Sequence, residues 1–322
     1  MYPLIRGVHL LLILQIRLDH SGPSFAKQAY ECRFKRLLSL GHSDTTLDKV
    51  AIVRCEESVA DAIRIGLDYT SGLADLKGPV LIKPNICTIS DDTGHSVTDA
   101  TVVDAVIDLL LATDSRLRIR IVESDSQSKQ ADSAFAKFGY DRIARNRQDN
   151  GFDVELVNLS TPPLREVKVE GLHFKTLELH EALIRPHFYI SVSVAKTHQT
   201  AFLTCAMKNQ FGLLPKREKS VYHRDIGKIL VDMNHIVPPD LCIVDGRVGI
   251  EGWNGPKTHN LGIFVVGKNP VAVDATVTRV MGFKVGQVDY LSLANRNGLG
   301  TLEPDIYGET IDSVSTEFKA PF

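Results

Sequence analysis

Cysteine is scarce in this sequence, with five residues among 322, and no two of them are spaced as Cys-x-x-Cys. Structural zinc sites and ferredoxin-type iron–sulfur clusters are held by cysteines that recur at such short spacings. An odd and scattered set of cysteines is instead typical of reduced thiols in the cytoplasm. The sequence therefore predicts a cytoplasmic protein without an intrinsic iron–sulfur cluster.

An apolar run long enough to cross a membrane is also missing. Residues 10–16 are apolar, but this run is much shorter than the about 20 residues that a spanning helix needs. Basic residues precede it as in a signal peptide, yet no small-x-small cleavage site follows. We predict that residues 1–48 are a disordered extension or a misread start, with a signal anchor as the alternative, and that the chain has no transmembrane span.

The sequence has no excess of charge of one sign, since 37 Lys and Arg face 39 Asp and Glu for a formal net charge of -2. Nucleic-acid-binding domains carry a marked basic surplus, so this balance argues against a nucleic-acid partner. The segment 196–228 departs from the neutral background, with seven Lys or Arg and only two acids. A locally basic segment in a neutral chain indicates a site for a small anionic molecule.

Strand-like and helix-like patterns alternate from residue 49 onward. Strand-like segments cover 50–53, 79–83, 117–122, 153–159 and 188–195, of which 117–122 alternates in polarity and 50–53, 79–83 and 188–195 are mostly apolar. Segments with a helical pattern, such as 58–69, 97–111 and 130–147, lie between them. Repeated strand–helix–strand order indicates a parallel sheet with helices on its faces. We therefore predict an α/β domain over 49–316 with a mostly parallel sheet and flanking helices.

One segment breaks this alternation. Two runs with alternating polarity flank Glu170-Gly171, which is typical of a β-hairpin. We predict that this hairpin is inserted into the α/β domain at about residues 164–180.

Polar residues follow three of the predicted strands, at Lys83-Pro84-Asn85, Glu123-Ser124-Asp125 and Lys196-Thr197-His198. In parallel sheets, ligands bind beyond the carboxyl ends of the strands. Lysine and asparagine side chains suit a carboxylate or a phosphate. We predict that Lys83, Asn85 and Asp125 bind substrate, although a solvated strand end with a turn proline also explains the first motif.

The basic segment supplies the predicted reacting groups. Lys196 and His198 are two residues apart, so they point the same way on an extended strand. Lys208 and Asn209 follow an apolar run, and buried lysines require a partner. We predict Lys196, His198, Lys208 and His223 as catalytic residues and Asn209 as substrate-binding. For His223, a general base, a metal ligand and a helix cap remain open.

Glycines recur at every third position from Gly246 to Gly255. Successive backbone N–H groups there could form an anion nest, so we predict Gly246 and Gly252 as substrate-binding. Asp245 and Glu251 in the same loop, with Asp274 on an apolar helix, are the candidate ligands of a divalent metal. A flexible surface loop and a structural ion pair for Asp274 are the alternatives.

Together these motifs resemble the family called domain of unknown function 362. The resemblance covers roughly residues 50–310 and also includes Lys208-Asn209-Gln210-Phe211-Gly212 and Pro270-Val271-Ala272-Val273-Asp274. Many members of that family look like iron–sulfur proteins because they carry an appended ferredoxin-type domain. This chain lacks the Cys-x-x-Cys run of such a domain, so the resemblance implies the site but not an intrinsic cluster.

The predicted function is an enzyme that binds a small anionic molecule, a carboxylate or a phosphate, at the strand ends with Lys, His and Asp chemistry. The alternative is a non-enzymatic accessory protein for binding or electron transfer. Its pocket would hold a cofactor, a metal or the iron–sulfur cluster of a ferredoxin-like partner.

Overall fold

The computed structural model describes residues 48–322, so the predictions for the N-terminal extension and its signal anchor lie outside the described residues. Strands and helices alternate along this part of the chain. The strands are β1 Lys49–Arg54, β2 Val80–Pro84, β3 Ile119–Glu123, β4 Val154–Asn158, β5 Leu164–Lys168, β6 Thr176–His180, β7 Phe188–His198, β8 Phe202–Thr204, β9 Leu241–Ile250, β10 Thr258–Gly267 and β11 Asp305–Gly308.

The helices occupy the connections between these strands. They are α1 Val59–Thr70, α2 Ala100–Thr113, α3 Ala131–Lys137, α4 Tyr140–Asp149, α5 Glu181–Ile184, α6 Ala206–Asn209, α7 Ile226–Ile236, α8 Pro270–Val280, α9 Asp289–Arg296 and α10 Ile311–Val314, with 3₁₀ turns at Gln210–Leu213, Lys219–Asp225 and Val285–Gln287. Among residues 48–322, no helix has the length and apolar character that crossing a membrane requires.

The main sheet has nine strands in the order β11-β1-β10-β9-β7-β2-β3-β4, with β8 paired to β7. Strands β9, β7, β2, β3 and β4 are mutually parallel, whereas β10 is antiparallel to both β9 and β1. The prediction of an α/β fold with a mostly parallel sheet is confirmed. Because β2, β3 and β7 run in parallel, their carboxyl ends meet at one edge of the sheet.

Alternate residues of the central strands are buried on opposite faces of the sheet, which gives two cores. Ile82 and Ile190 pack with Ile63 of α1, while Leu81 and Tyr189 belong to the core that α7, α8 and α9 cover. Burial on both faces explains why these strands are continuous apolar runs in the sequence. The central strands are therefore packed on both faces up to the ends that carry polar groups.

Two elements differ from the sequence-based expectation. The predicted helix over 130–147 is two helices, because Gly139 between them has φ +84, a conformation that glycine adopts readily. The predicted glycine loop begins as strand, since β9 continues to Ile250 and pairs with Thr258 of β10. Gly249 is needed in that strand because a Cβ there would lie 2.5 Å from the Phe318 ring.

The predicted hairpin is present, with β5 and β6 paired antiparallel in a separate two-stranded sheet. A buried carboxylate on α7 ties its tip to the main domain. Asp232 accepts hydrogen bonds from the backbone N–H groups of Leu172 at 2.7 Å, His173 at 2.8 Å and Phe174 at 3.0 Å. One side chain thus satisfies three donors that the turn leaves unpaired.

Replacing Asp232 should loosen the hairpin tip without unfolding the domain. Asp232→Ala removes the acceptor of three backbone donors, so we expect local stability to fall by about 1–3 kcal/mol. Hydrogen exchange measured by mass spectrometry should show faster exchange at residues 172–174. Asp68→Ala, on the exposed face of α1, is the control. Equal protection of the tip in both variants would contradict this role.

Candidate functional site

A cavity of about 430 Å³ opens at the edge of the sheet where β2, β3 and β7 end. Five lysines line it, one from each of five segments of the chain: Lys83, Lys129, Lys196, Lys208 and Lys219. Among the described residues that line the cavity, Glu123 is the one acidic side chain. The side chains that line the cavity therefore include more basic than acidic groups.

Glu123 lies at the centre of this wall and is almost fully buried. Its carboxylate is 2.9 Å from Lys83 Nζ and 3.5 Å from Lys129 Nζ, and it accepts a 2.8 Å hydrogen bond from the Ser124 backbone N–H. Burial alone would raise the pKa of Glu123, but Lys129, Lys83 and Lys219 outweigh it and the pKa is lowered. Glu123 is therefore ionised and compensates part of the lysine charge.

Lys83 uses all three of its ammonium donors within the protein. It bonds to Glu123, to the Pro84 carbonyl at 2.9 Å and to Asn209 Oδ1 at 3.3 Å. Gly212 permits this packing, because a Cβ at that position would lie 2.5 Å from Lys83 Nζ. Lys83 thus shapes the cavity wall and has no donor left for a ligand.

Three other lysines keep part of their hydrogen-bonding capacity. Lys196 donates to the Ser96 carbonyl at 2.6 Å and lies 3.2 Å from Cys87 Sγ. Lys129 donates to the Ser124 carbonyl, and Lys219 donates to Ser124 Oγ. An ammonium group has three donors, so Lys196 retains one and Lys219 retains two for a bound anion.

Lys208 differs from these lysines in its surroundings. Within the part of the chain that the structure describes, its ammonium has no hydrogen-bond acceptor or carboxylate partner and instead lies 4.5 Å from the centre of the Phe211 ring. Burial and the neighbouring charges of Lys196 and Lys83 lower its pKa to about 8. Lys208 is therefore the lysine whose positive charge the cavity wall stabilises least through polar contacts.

A buried acid holds the short helix that carries Lys208. Asp274 accepts from the backbone N–H groups of Ala206 at 2.8 Å and Met207 at 3.2 Å, and from the Tyr290 hydroxyl at 3.0 Å. Desolvation raises the pKa of Asp274 to about 7, and these hydrogen bonds only partly oppose it. Asp274, predicted as a metal ligand, therefore fixes the position of α6 beneath the cavity.

The two predicted histidines lie in the cavity wall in different states. His198 Nδ1 accepts from the backbone N–H groups of Thr200 at 3.2 Å and Ala201 at 3.3 Å, which places the ring proton on Nε2. Burial, Lys208 and Lys196 lower the pKa of His198 to about 2, so its ring is neutral. His223 is more exposed and stacks on the Phe211 ring at 5.7 Å, and burial and Lys208 lower its pKa.

The structure brings together most of the residues that the sequence predicted as a site. Those that line the cavity are Lys83, Asn85, Lys196, His198, Lys208, Asn209 and His223. Asn209 joins two strands, since its Nδ2 donates to the Lys83 carbonyl at 3.1 Å and to Ser191 Oγ at 3.0 Å. Residues of the strand-end motifs and of the basic segment therefore line one cavity.

This cavity is not lined by Asp125, which was predicted to bind substrate, or by the predicted metal ligands Asp245, Glu251 and Asp274. Asp125 accepts from the Ala131 backbone N–H at 2.8 Å, and Asp245 forms a 2.8 Å ion pair with Arg247. Glu251 bonds to His259 Nε2 at 2.8 Å. Within residues 48–322, no three His, Cys, Asp or Glu side chains are grouped to hold a metal ion.

The predicted glycines Gly246 and Gly252 do not line the cavity either, and each has a role in local packing or backbone conformation. Gly246 lies in β9, where a Cβ would come within 3.2 Å of the Ile263 side chain. Gly252 has φ +86 in the turn after β9, and its N–H donates to Thr197 Oγ1 at 2.7 Å. This bond holds the turn against β7 and leaves Trp253 as the part of the glycine segment that lines the cavity.

Sequence reasoning missed Glu123, Lys129 and Lys219 as members of the site. The signal for Glu123 was its place as the last residue of an apolar strand, two positions before the chosen Asp125. Lys129 and Lys219 carry no local signal, because each becomes part of the site through contacts with the Ser124 region.

Three comparisons relate the chain to known proteins. The family model described as domain of unknown function (DUF362) matches residues 80–279, which confirms the resemblance drawn from the motifs. The chain is 25% identical over 260 residues to a thylakoid-associated protein of Synechocystis sp., covering 75% of this chain and 76% of that protein.

A solved structure is also similar, the lactate racemase apoprotein from Thermoanaerobacterium thermosaccharolyticum. The TM-score is 0.44 with 13% sequence identity, and the match covers 72% of this chain but 57% of that one. This similarity is too distant to bear on activity.

Removing the negative charge of Glu123 should destabilise the fold. Glu123→Gln keeps the shape of the side chain but leaves Lys83 and Lys129 without a counter-charge, so we expect a loss of about 3–5 kcal/mol in the free energy of unfolding. Urea denaturation measures this loss in the free energy of unfolding. Glu155→Gln is the control, since this exposed residue pairs with Arg120 at the surface. Losses of the same size in both variants would contradict the compensating role of Glu123.

Asp274 should make stability depend on pH. Folding raises the pKa of Asp274 from 3.8 to about 7, so its stabilising contribution is complete below about pH 4 and is lost as the pH rises through 7. An asparagine side chain does not titrate, so the stability of the native protein relative to the Asp274→Asn variant should fall by about 4 kcal/mol between pH 4 and pH 8. Urea denaturation across this range tests it, with the exposed Asp289→Asn as control. A pH-independent difference would refute the assignment.

Proposed function

Because this chain belongs to the family known as domain of unknown function 362, whose name assigns no activity, we propose its function from the cavity. The protein is an enzyme that binds a small molecule with a carboxylate or phosphate group and transfers protons on it. The observation that carries this proposal is the set of five lysines around one cavity with a single acidic side chain among the described lining residues.

The charge of the cavity favours an anionic ligand. Five lysine amines surround the one carboxylate of Glu123, which already contacts Lys83 and Lys129. Uncompensated charges inside a protein are costly, so an anion that enters the cavity stabilises the lysines around it. The volume of about 430 Å³ suits a small molecule, since such sites span roughly 300–1,000 Å³.

The remaining hydrogen-bond donors indicate where the anion sits. Lys83 is fully used within the wall, whereas Lys196, Lys208 and Lys219 retain N–H groups. We assign Lys196 and Lys219 to the anionic group of the ligand, with the charge of Lys208 beside them. Lys83 and Asn209 then act as positioning residues that hold β2 and α6 together beneath it.

The same cavity holds groups suited to proton transfer. An acid or base works best when its pKa is near the working pH, and the pKa of Lys208 is about 8. His198 is neutral with its proton on Nε2, so it serves as a hydrogen-bond donor rather than as a base. Lys208, with His223 at the more exposed side, is therefore the proposed proton-transfer group.

Anion binding should raise the melting temperature, because a ligand that binds only the folded state stabilises it. We expect phosphate, pyrophosphate, oxalate or citrate to raise the Tm of the native protein beyond the effect of sodium chloride at equal ionic strength. Lys196→Ala and Lys208→Ala should lose most of this rise, and the exposed hairpin variant Lys168→Ala should keep it. A full shift in both cavity variants would exclude this placement of the anion.

A further inference from the structure

The amine of Lys208 is the unusual group of this cavity. The other four lysines each donate to a carboxylate, a carbonyl or a hydroxyl of the protein. In the described residues, Lys208 Nζ has only the face of the Phe211 ring as a close partner, and its side chain is half-buried, whereas the other four lysines are buried. A desolvated amine without an acceptor in the protein is poorly stabilised as a cation and is available for chemistry.

We propose that Lys208 is a nucleophile that forms an imine with the carbonyl carbon of an anionic substrate, such as a 2-oxo acid. This inference rests on the proposed function, since the anionic group of the substrate is held by the neighbouring lysines. It adds the substrate class, because it requires a ketone or aldehyde carbon close to the carboxylate or phosphate.

The backbone around Lys208 presents its amine in a fixed place. Helix α6 is held from below by Asp274, which accepts from two of its N–H groups. Asn234 of α7 adds a hydrogen bond from its Nδ2 to the Met207 carbonyl at 3.2 Å. Buried polar groups tie α6 to both α7 and α8. The backbone from which the Lys208 side chain extends is therefore held in place, as a nucleophile requires.

The charges around Lys208 favour its neutral, nucleophilic form. Lysine is a nucleophile only when unprotonated, and desolvation or a neighbouring cation produces this form. Both conditions hold here, since the cavity wall desolvates the amine of Lys208 and the charges of Lys196 and Lys83 lie nearby. With a pKa of about 8, roughly one amine in ten is neutral at pH 7.

The reaction balances without a further reactant. The lone pair of Lys208 Nζ attacks the carbonyl carbon, a carbon–nitrogen bond forms, and the carbonyl π bond breaks to give a hydroxyl. The carbon–oxygen bond then breaks, and the two amine protons leave with this oxygen as water. His198 can donate its Nε2 proton in a hydrogen bond to the oxygen, and His223 lies at the exposed side of the cavity to relay a proton.

Lys219 is the competing nucleophile, because burial also lowers its pKa well below the usual value. Its amine, however, bonds to Ser124 Oγ, which itself donates to the Gly212 carbonyl at 2.6 Å. Attack by Lys219 would break this chain of hydrogen bonds, whereas attack by Lys208 would give up only an aromatic contact. The inference therefore commits to Lys208.

Borohydride trapping tests the imine directly. We would incubate the full chain with pyruvate, 2-oxoglutarate or dihydroxyacetone phosphate, reduce it with sodium borohydride, and measure the intact mass and the modified peptide. At least one of these probes should add its reduced carbon skeleton to one lysine, mapped to Lys208. Propionate, which has a carboxylate but no carbonyl, should add nothing, and Lys168→Ala should react as the native protein does.

The Lys208→Arg variant separates this inference from the proposed function. Arginine keeps the positive charge but cannot form the imine, so the variant should lose the adduct and keep part of the anion-induced rise in Tm. A native protein that is stabilised by anions but gives no adduct with any of the three probes would overturn the imine and leave anion binding intact. An adduct that maps to Lys219, or that persists in Lys208→Arg, would also overturn it. The absence of any anion-induced rise would instead count against the proposed function.

Discussion

The buried carboxylate of Glu123 is the interaction on which the site depends. It lets the ends of β2 and β3 place cationic groups beside one another within an interior where they would otherwise repel. Two hydrogen bonds continue from this pair through Lys83 to Asn209 of α6. The sheet edge, the short helix and the cavity are thus one electrostatic unit, and the surplus charge beyond Glu123 is what remains for a ligand.

Much of the fold could be predicted because its signals are local. Apolar runs mark strands that are buried on both faces, and Asn269 followed by Pro270 marks the start of α8, where Asn269 caps two backbone N–H groups. The break at Gly139 and the extension of β9 to Ile250 were missed because each depends on tertiary packing. A glycine in sequence does not show whether it serves a turn or, as at Gly249, a close aromatic contact.

The site residues near strand ends could be predicted, because polar residues mark those ends in the sequence. Residues whose role depends on burial in the fold were harder to predict. Lys83, Lys196 and Lys208 converge because parallel strands end at one edge. Acidic residues were harder to assign, since a buried Asp can serve the backbone as well as a ligand. Asp274 illustrates this point, because its partners are N–H groups that no sequence pattern reveals. The electron-transfer alternative and a ferredoxin-like partner remain predictions.

The close approach at Gly212 has an evolutionary consequence. A methyl group there would occupy the space of the Lys83 amine and crowd a Glu123 oxygen at 2.9 Å, so three positions far apart in the chain share one volume. They should vary together within the family. In a relative with a larger residue at 212, the lysine at 83 or the acid at 123 has to move or be replaced, and the charge pattern of the cavity changes with it. Position 212 thus offers a single-residue marker for members that retain this chemistry.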